Sequence, residues 1–435
     1  MVIDLGLDRE PPVARLRDWG RRAGHWRPVA LALVAVLLLA VTASGPAPAP
    51  SLTLAASFAL DRRTDFVVLG DRLYVSVASP ERVGPPTEHR WLLSAYELPT
   101  GRPLWTAPYE SSVEQFVDVQ AADGLLLVTG LVGGEGISTP TTAVDAASGR
   151  VLWTLPTRVA VSDDGRTGLI GGLLRAGEPT GPTVRAVDLA TGQDLWKATF
   201  PAPTMVRPVP GGRAVTVTNG DGGGRAEVRD VRTGAVLVSR AVLPPGAGPT
   251  LTVTVGDSLV LGYQDAEGAR GVAAYAADTL APRWSRVITE DGVRRFSPCG
   301  SLVCTPGAVG VEAIDPATGA LVWHTTEADA VFDAGGVLVA DAQPAGLAAV
   351  DPATGRTLYD LGGLETVLAP RTEYGLVSVG RTVGDDRSWV SLARPHTAEP
   401  RPLGVLPYRV WDCVSGDRSL VCRVPDDKLS IWTYS

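Results

Sequence analysis

The stretch Ala313-Ile314-Asp315-Pro316-Ala317-Thr318-Gly319-Ala320-Leu321-Val322-Trp323 constrains the fold more than any other, because it recurs. The pattern Ala-x-Asp-x-x-Thr/Ser-Gly-x-x-x-Trp returns as Ala143, Asp145, Ser148, Gly149 and Trp153, and as Ala186, Asp188, Thr191, Gly192 and Trp196. A near copy runs Ala95, Glu97, Thr100, Gly101 and Trp105, and another runs Ala349, Asp351, Thr354 and Gly355 with Tyr359 in the Trp position. Two copies are worn. One keeps Asp230, Thr233 and Gly234 but has Val238 for Trp; the other keeps Ala274 and Trp284 but has Leu280 where Gly belongs. Each part has a physical purpose. The Asp carboxylate accepts from backbone N–H groups two residues on and fixes a turn. Gly takes the positive φ of a hairpin turn or its bulge. Ala leaves room for a ring or strand to pack over it, and Trp brings a large apolar face with one N–H that needs an acceptor.

The spacing predicts the architecture. Trp105 and Trp153 are 48 residues apart, Trp153 and Trp196 are 43, and Trp284 and Trp323 are 39. Self-similarity at this period marks a propeller or a solenoid. Between successive motifs lie four short apolar runs, for example 116–119, 125–131, 142–145 and 151–155, and four strands per repeat make a propeller blade. The expected fold is therefore all-β, a propeller of four-stranded blades over 52–435 with Trp105, Trp153, Trp196, Trp284 and Trp323 as structural docking residues, of which Trp153, Trp196 and Trp323 are expected to be buried between blades. The run 52–60 stands alone ahead of the first blade, and only three strands, 410–414, 420–423 and 429–434, remain after an eighth degenerate unit. The N-terminal strand is expected to complete the last blade and remove a sheet edge. Eight full units and the composite one make nine blades; a spurious terminal strand would make eight.

The repeated motif resembles the tryptophan-docking motif of pyrroloquinoline-quinone (PQQ) type propellers over roughly residues 60–435. That superfamily holds quinoprotein dehydrogenases and cofactor-free scaffolds such as BamB, and the resemblance implies eight blades. It speaks to fold and little to function, since the docking residues are structural in the family.

The N-terminus reads differently. Arg15, Arg17, Arg21, Arg22 and Arg27 precede an uncharged run, with no charge between Arg27 and Asp61. The run Trp26 to Ser44 would form about 28 Å of helix, enough to span a bilayer core. The expected order is a cytoplasmic segment 1–28, a transmembrane signal anchor 29–44 and a Pro-rich linker 45–51, with the propeller outside the plasma membrane by the positive-inside rule. A cleaved signal peptide, cut near Ala43-Ser44-Gly45, is the competing reading.

Charge excludes further classes. The net charge of −8 lies mostly beyond the N-terminus, which leaves no basic face for nucleic acid. His25, His89, His324 and His396 are scattered, against zinc sites and catalytic triads. Four cysteines form two local pairs, Cys299 with Cys304 and Cys413 with Cys422. An even number of intervening residues lets each pair sit opposite across a hairpin. An oxidising compartment would keep such pairs as disulfides; free buried thiols and a metal site are the alternatives. A four-Cys zinc site prefers spacings such as C-x2-C.

No chemistry stands out. A PQQ dehydrogenase, by the same resemblance, has a central cofactor, a calcium ion, a carboxylate base and two adjacent cysteines. No Cys-Cys pair occurs here, and the chain lacks phosphate-loop, G-x-S-x-G and H-E-x-x-H motifs. Asn219-Gly-Asp-Gly-Gly-Gly224 lacks the oxygen series of a calcium loop. No catalytic residue, cofactor or metal is expected. The longer polar loops, 79–90, 132–141, 175–183, 219–225, 264–271 and 381–387, all join a second strand to a third, which puts them on one face of the disc. Loops on a rigid scaffold are where binding concentrates. The expected function is a non-enzymatic scaffold for an envelope or secreted protein, with the membrane as second partner; a quinoprotein-like oxidoreductase is the alternative.

Overall fold

A computed structural model describes residues 52–59, 64–82, 89–111, 115–131, 139–171, 183–200, 204–219, 223–265, 267–288, 296–307, 309–342, 346–362, 367–370, 375–381, 386–395, 397 and 399–434. The expected cytoplasmic segment 1–28, anchor 29–44 and linker 45–51 lie outside them. Among the described residues no helix is long and apolar enough to cross a membrane.

Nine antiparallel four-stranded sheets follow one another along the chain. Eight are built in sequence order, over 64–111, 115–155, 160–199, 204–241, 248–288, 297–325, 330–362, 367–406 and, for three strands of the ninth, 411–433. The strand Thr53–Ala59 supplies the ninth blade's fourth, outermost strand by pairing with Lys428–Thr433, from Thr53 opposite Thr433 to Ala59 opposite Lys428. The first strands of neighbouring blades lie against one another, and Thr64–Leu69 also meets Trp411–Ser415, which closes the ring. The propeller has nine blades. In blade 1 the second and third strands reach further than the apolar runs suggest, Arg72–Arg82 and His89–Glu97, with Arg82 opposite His89.

A blade has two faces and no core of its own, so apolar side chains alternate between the two neighbours. In blade 1, Leu73 and Val75 pack toward blade 9 with Val421, Leu429 and Ile431. Tyr74 and Leu93 pack toward blade 2 with Leu126 and Val128. Each of the nine joints has its own apolar cluster among the described residues. Second strands are buried almost throughout, whereas fourth strands such as Val236–Ala241 form the exposed rim.

The repeated motif supplies the joints. Within a blade the small Ala of the third strand faces the Trp of the fourth: Ala95 opposite Trp105, Ala143 opposite Trp153, Ala186 opposite Trp196, Ala274 opposite Trp284 and Ala313 opposite Trp323. A bulge follows each of these pairs and carries the chain into the turn. Each ring then lies over the turn glycine of the next blade. A Cβ on Gly149, Gly192, Gly234, Gly319 or Gly355 would come within 2.4–2.7 Å of the ring of Trp105, Trp153, Trp196, Trp284 or Trp323 respectively. All five glycines have φ between 67° and 75°. Each indole N–H donates to the carbonyl just after the next turn's Asp: Ala146 at 3.1 Å, Leu189 at 2.8 Å, Val231 at 2.8 Å, Pro316 at 3.0 Å and Pro352 at 2.9 Å. Trp323 is buried at 6% exposure. The expected burial needs correcting for Trp153 and Trp196, which like Trp105 and Trp284 are half-buried; these rings sit on the outermost strand, where one edge meets solvent.

The two worn copies meet at a single joint. Val238 of blade 4 faces blade 5, whose turn carries Leu280. Leu280 adopts φ 54° at the glycine position and is fully buried against Val238 and its neighbours. A shorter residue where the ring would lie leaves volume for a side chain where glycine would lie. The joint between blades 9 and 1 is solved another way: Gly101 approaches Ala56 and Ile431, while Phe58 stacks on Tyr96 with centroids 4.8 Å apart.

The turn carboxylates cap backbone N–H groups. Asp145 Oδ1 accepts from Ser148 N at 2.7 Å, Ser148 Oγ at 2.7 Å and Ala147 N at 3.1 Å; Asp230 Oδ1 accepts from Thr233 N at 2.8 Å and Thr233 Oγ1 at 2.8 Å. Asp315 and Asp351 repeat the pattern. The Ser148 hydroxyl and N–H hold Asp145 below the usual carboxylate range, and Thr233 does the same for Asp230.

Two predictions follow from the joints and turns. Gly192→Leu alone should strongly lower the urea midpoint, because its side chain would meet the Trp153 ring. The pair Gly192→Leu with Trp153→Val, imitating the Leu280–Val238 joint, should recover part of that loss, with a coupling of about 0.5–3 kcal/mol; strict additivity would show that ring and turn do not interlock. Since the folded-state pKa of Asp230 is lowered, its cap contributes above the ordinary carboxylate range and is lost as pH falls below it. The melting-temperature gap between wild type and Asp230→Ala should therefore be widest near neutral pH and close toward about pH 2.

Candidate binding face

In an up-and-down blade, successive turns alternate between the two faces. The turns joining first to second and third to fourth strands share one face, which carries the docking turns and tight connections such as Gly70-Asp71 and Gly256-Asp257. The opposite face carries the connections between second and third strands. Those at 132–141 and 175–183 fall almost wholly outside the described residues, and those at 79–90 and 381–387 largely so. The connection at 264–271 is compact: Asp265 Oδ1 accepts from Ala269 N at 2.6 Å. Asn219 and Gly224 are described within 219–225, where Gly224 O accepts from Val242 N at 2.8 Å.

The docking face is knitted from blade to blade. Arg72 Nη1 donates to Ala146 O at 2.7 Å, and Asp163 accepts from Gly211 N at 2.6 Å and Gly212 N at 3.1 Å. These contacts join neighbouring blades.

On the other face, where the ring closes, a cavity of about 570 Å³ opens beside the first strand of blade 1. This volume is in the range of small-ligand pockets, roughly 300–1,000 Å³. Its lining is mixed: Leu93, Val119, Leu126 and Val128 are apolar, while Thr64, Asp65, Asp412 and Arg423 are polar or charged. Two further polar side chains stand among them on one strand face. The Tyr74 hydroxyl is pushed up in pKa by burial. Ser76, 5% exposed, has no hydrogen-bond partner for its Oγ among the described residues, and that oxygen lies sealed behind the cavity wall. A buried hydroxyl without a partner costs about 1–3 kcal/mol.

The mouth is charged. Arg423 Nε donates to Asp412 Oδ2 at 3.1 Å, its Nη2 donates to Thr64 O, and its guanidinium lies 5.7 Å from the Phe66 ring centroid. Asp412 sits at a bulge with φ 48° and keeps its carboxylate largely in solvent. Asp65 lines the cavity, and beyond Arg423 the surface runs on past Trp411, Asp426 and Asp427. Sequence reasoning missed all of these residues. The one available signal was a serine two residues after Tyr74, on the strand face that meets the next blade.

The cysteines are paired. Cys299 is bonded to Cys304 and Cys413 to Cys422, and no free cysteine remains. The first pair is diagonal rather than directly opposite. The two-residue turn at Gly300 and Ser301 sets Cys299 across from Leu302 and Cys304 across from Ser297. The second pair bridges the bulge of blade 9, and Cys413 forms part of the cavity wall.

Among the described residues no three His, Cys, Asp or Glu side chains converge, and both disulfides close local hairpins. That donor set does not fit a calcium-bound quinone, and no reaction step is derived through one.

Comparison with known proteins agrees with the repeat architecture. Residues 180–308 match the PQQ-like repeat family model described as outer membrane protein assembly factor BamB. No curated protein sequence matches the chain. Among solved structures, a eukaryotic initiation factor aligns with 12% identity, 78% of this chain, 91% of its own and a TM-score of 0.50. BamB from Moraxella catarrhalis aligns with 15% identity, 88% of this chain, 98% of its own and a TM-score of 0.42. The quinohemoprotein alcohol dehydrogenase ADHIIG from Pseudomonas putida HK5 aligns with 13% identity, 68% of this chain, 71% of its own and a TM-score of 0.38. With its docking turns and its nine four-stranded blades the chain is a nine-bladed β-propeller, similar over 180–308 to the family described as outer membrane protein assembly factor BamB.

Proposed function

We propose that this protein is a membrane-anchored, extracytoplasmic scaffold that binds another envelope or secreted protein through the face opposite its docking turns and has no catalysis of its own. The observation that carries this reading is the division of labour between the two faces. One is tied from blade to blade, through Asp163, Arg72 and the five indole N–H groups. The other carries the longer connections and the mouth of a cavity. The match of residues 180–308 to a family described as an assembly factor supports protein binding over substrate turnover. The arginine-flanked uncharged run before Asp61 supports the anchor and its orientation.

Two experiments test this. Protease added to intact protoplasts should degrade the propeller and leave the first 28 residues protected; a protected propeller overturns the topology. Crosslinking in intact cells should capture a protein partner. Shortening the connections at 132–141 and 175–183 should abolish that capture without shifting the melting temperature, while changes to exposed side chains of the docking turns should leave it intact. Normal capture by the shortened variants, or dye-linked alcohol oxidation by protein supplied with PQQ and calcium, would overturn the scaffold reading.

A further inference from the structure

We propose that the Cys413–Cys422 disulfide is the latch of the ring. It holds the bulge of blade 9 so that Asp412 and Arg423 meet and Arg423 reaches blade 1. Loss of that one bond loosens the inner side of the joint between blades 9 and 1 and leaves the other eight joints closed. This device is independent of the scaffold reading.

The bond sits where the ladder does not hold. Between Trp411–Ser415 and Ser419–Val424 the register runs Ser415 opposite Leu420 and Val414 opposite Val421, then resumes only at Trp411 opposite Arg423. Asp412 and Cys413 together face Cys422, two residues against one, and Asp412 takes φ 48°. A bulge leaves its extra residue outside the ladder, and a residue other than glycine at positive φ persists only where its surroundings enforce it. The bond from Cys413 to Cys422 crosses the strands at that gap. Cys299–Cys304 differs. It spans a hairpin of unbroken register, Ser297 with Cys304, Pro298 with Val303 and Cys299 with Leu302, so it repeats a constraint the ladder already makes.

Alternation along the strand carries the effect to its opposite face. Leu420, Cys422 and Val424 point toward blade 8, where both cysteines pack with Val377, Val390 and Leu403. Val421 points the other way, into the cluster it shares with Leu73 and Val75 of blade 1, and Arg423 follows it. Arg423 Nε donates to Asp412 Oδ2 at 3.1 Å, Nη2 donates to Thr64 O, and the guanidinium lies 5.7 Å from the Phe66 ring centroid. Thr64 and Phe66 belong to the first strand of blade 1. No docking tryptophan serves this joint, where Phe58 stacks on Tyr96 instead. On its outer side the chain itself runs from Ala59 to Thr64; on its inner side Arg423 reaches across. Without the disulfide, Asp412 and Cys413 are free to realign against Cys422, which draws Asp412 away from Arg423 and Arg423 away from Thr64.

The test is amide hydrogen exchange of the full-length protein in detergent, read by mass spectrometry over Thr64–Leu69, a strand the bond does not touch. Cys413→Ala with Cys422→Ala should raise exchange there about tenfold, the worth of one charge-assisted hydrogen bond, and leave blades 3 to 5 unchanged. Cys299→Ala with Cys304→Ala should leave Thr64–Leu69 at the wild-type rate, although chain entropy alone gives the two short loops similar weight. Arg423→Gln, which keeps both disulfides, should reproduce the rise. Adding it to the Cys413 and Cys422 changes should raise exchange little further, because bond and guanidinium act through one contact. Wild-type exchange at Thr64–Leu69 after either change, an equal rise from the Cys299 and Cys304 changes, a rise spread evenly over all nine blades, or full additivity would each overturn the latch. If the protein without Cys413 and Cys422 fails to fold, Arg423→Gln decides: a rise confined to the joint of blades 9 and 1 supports the latch, and wild-type exchange there overturns it.

Discussion

A tryptophan ring laid over a glycine of the next sheet is the interaction the rest of this molecule depends on. Each blade is a four-stranded sheet with apolar side chains on both faces, and a sheet that thin has no interior of its own. Stability therefore resides in the joints. The ring needs a missing Cβ beneath it, the indole N–H needs a carbonyl 2.8–3.1 Å away, and both are set by one turn whose Asp holds its backbone. A side chain in one blade thus fixes the position of the next, and five repetitions fix most of the circumference.

The same logic explains where the pattern can lapse. Leu280 violates the glycine requirement, yet it faces the one worn position, Val238, where no ring competes for the space. Two departures that would each be disruptive alone cancel as a pair. At the ring closure the indole is replaced by Phe58 stacked on Tyr96, with Ala56 over Gly101. The joint is conserved as a volume and a contact rather than as a residue.

This is also why so much of the fold was legible in the sequence. Trp, Gly, Asp and Ala at fixed offsets are local signals with a local cause, and they disclosed the turn, the period and the blade. The terminal strand 52–60 could be assigned to the last blade because three strands there lacked a fourth. Blade number stayed open between eight and nine because the resemblance implied eight and the composite ninth blade hung on terminal strands that only their partners could verify. The diagonal setting of Cys299 and Cys304 depended on a two-residue turn that even spacing does not reveal. The cavity was hidden for a different reason. Ser76, Tyr74, Leu126, Asp412 and Arg423 come from three blades at opposite ends of the chain, and only closure of the ring brings them together. No window of sequence contains that site.

The closing strand carries a consequence for how the protein is made. Eight blades pair strands that neighbour one another in sequence, so each can form as soon as its own stretch of chain is available. The ninth pairs Thr53 with Thr433, residues 380 apart. The first described strand must therefore wait for the last, its edge unpaired throughout elongation. Non-local pairing of this kind carries the loop-closure entropy of the whole chain and dominates contact order, so final closure sets the pace of folding while the eight local blades are already in place. The bond that makes the disc a ring is the slowest to form, and until it forms the cell must shelter an open-ended stack of sheets.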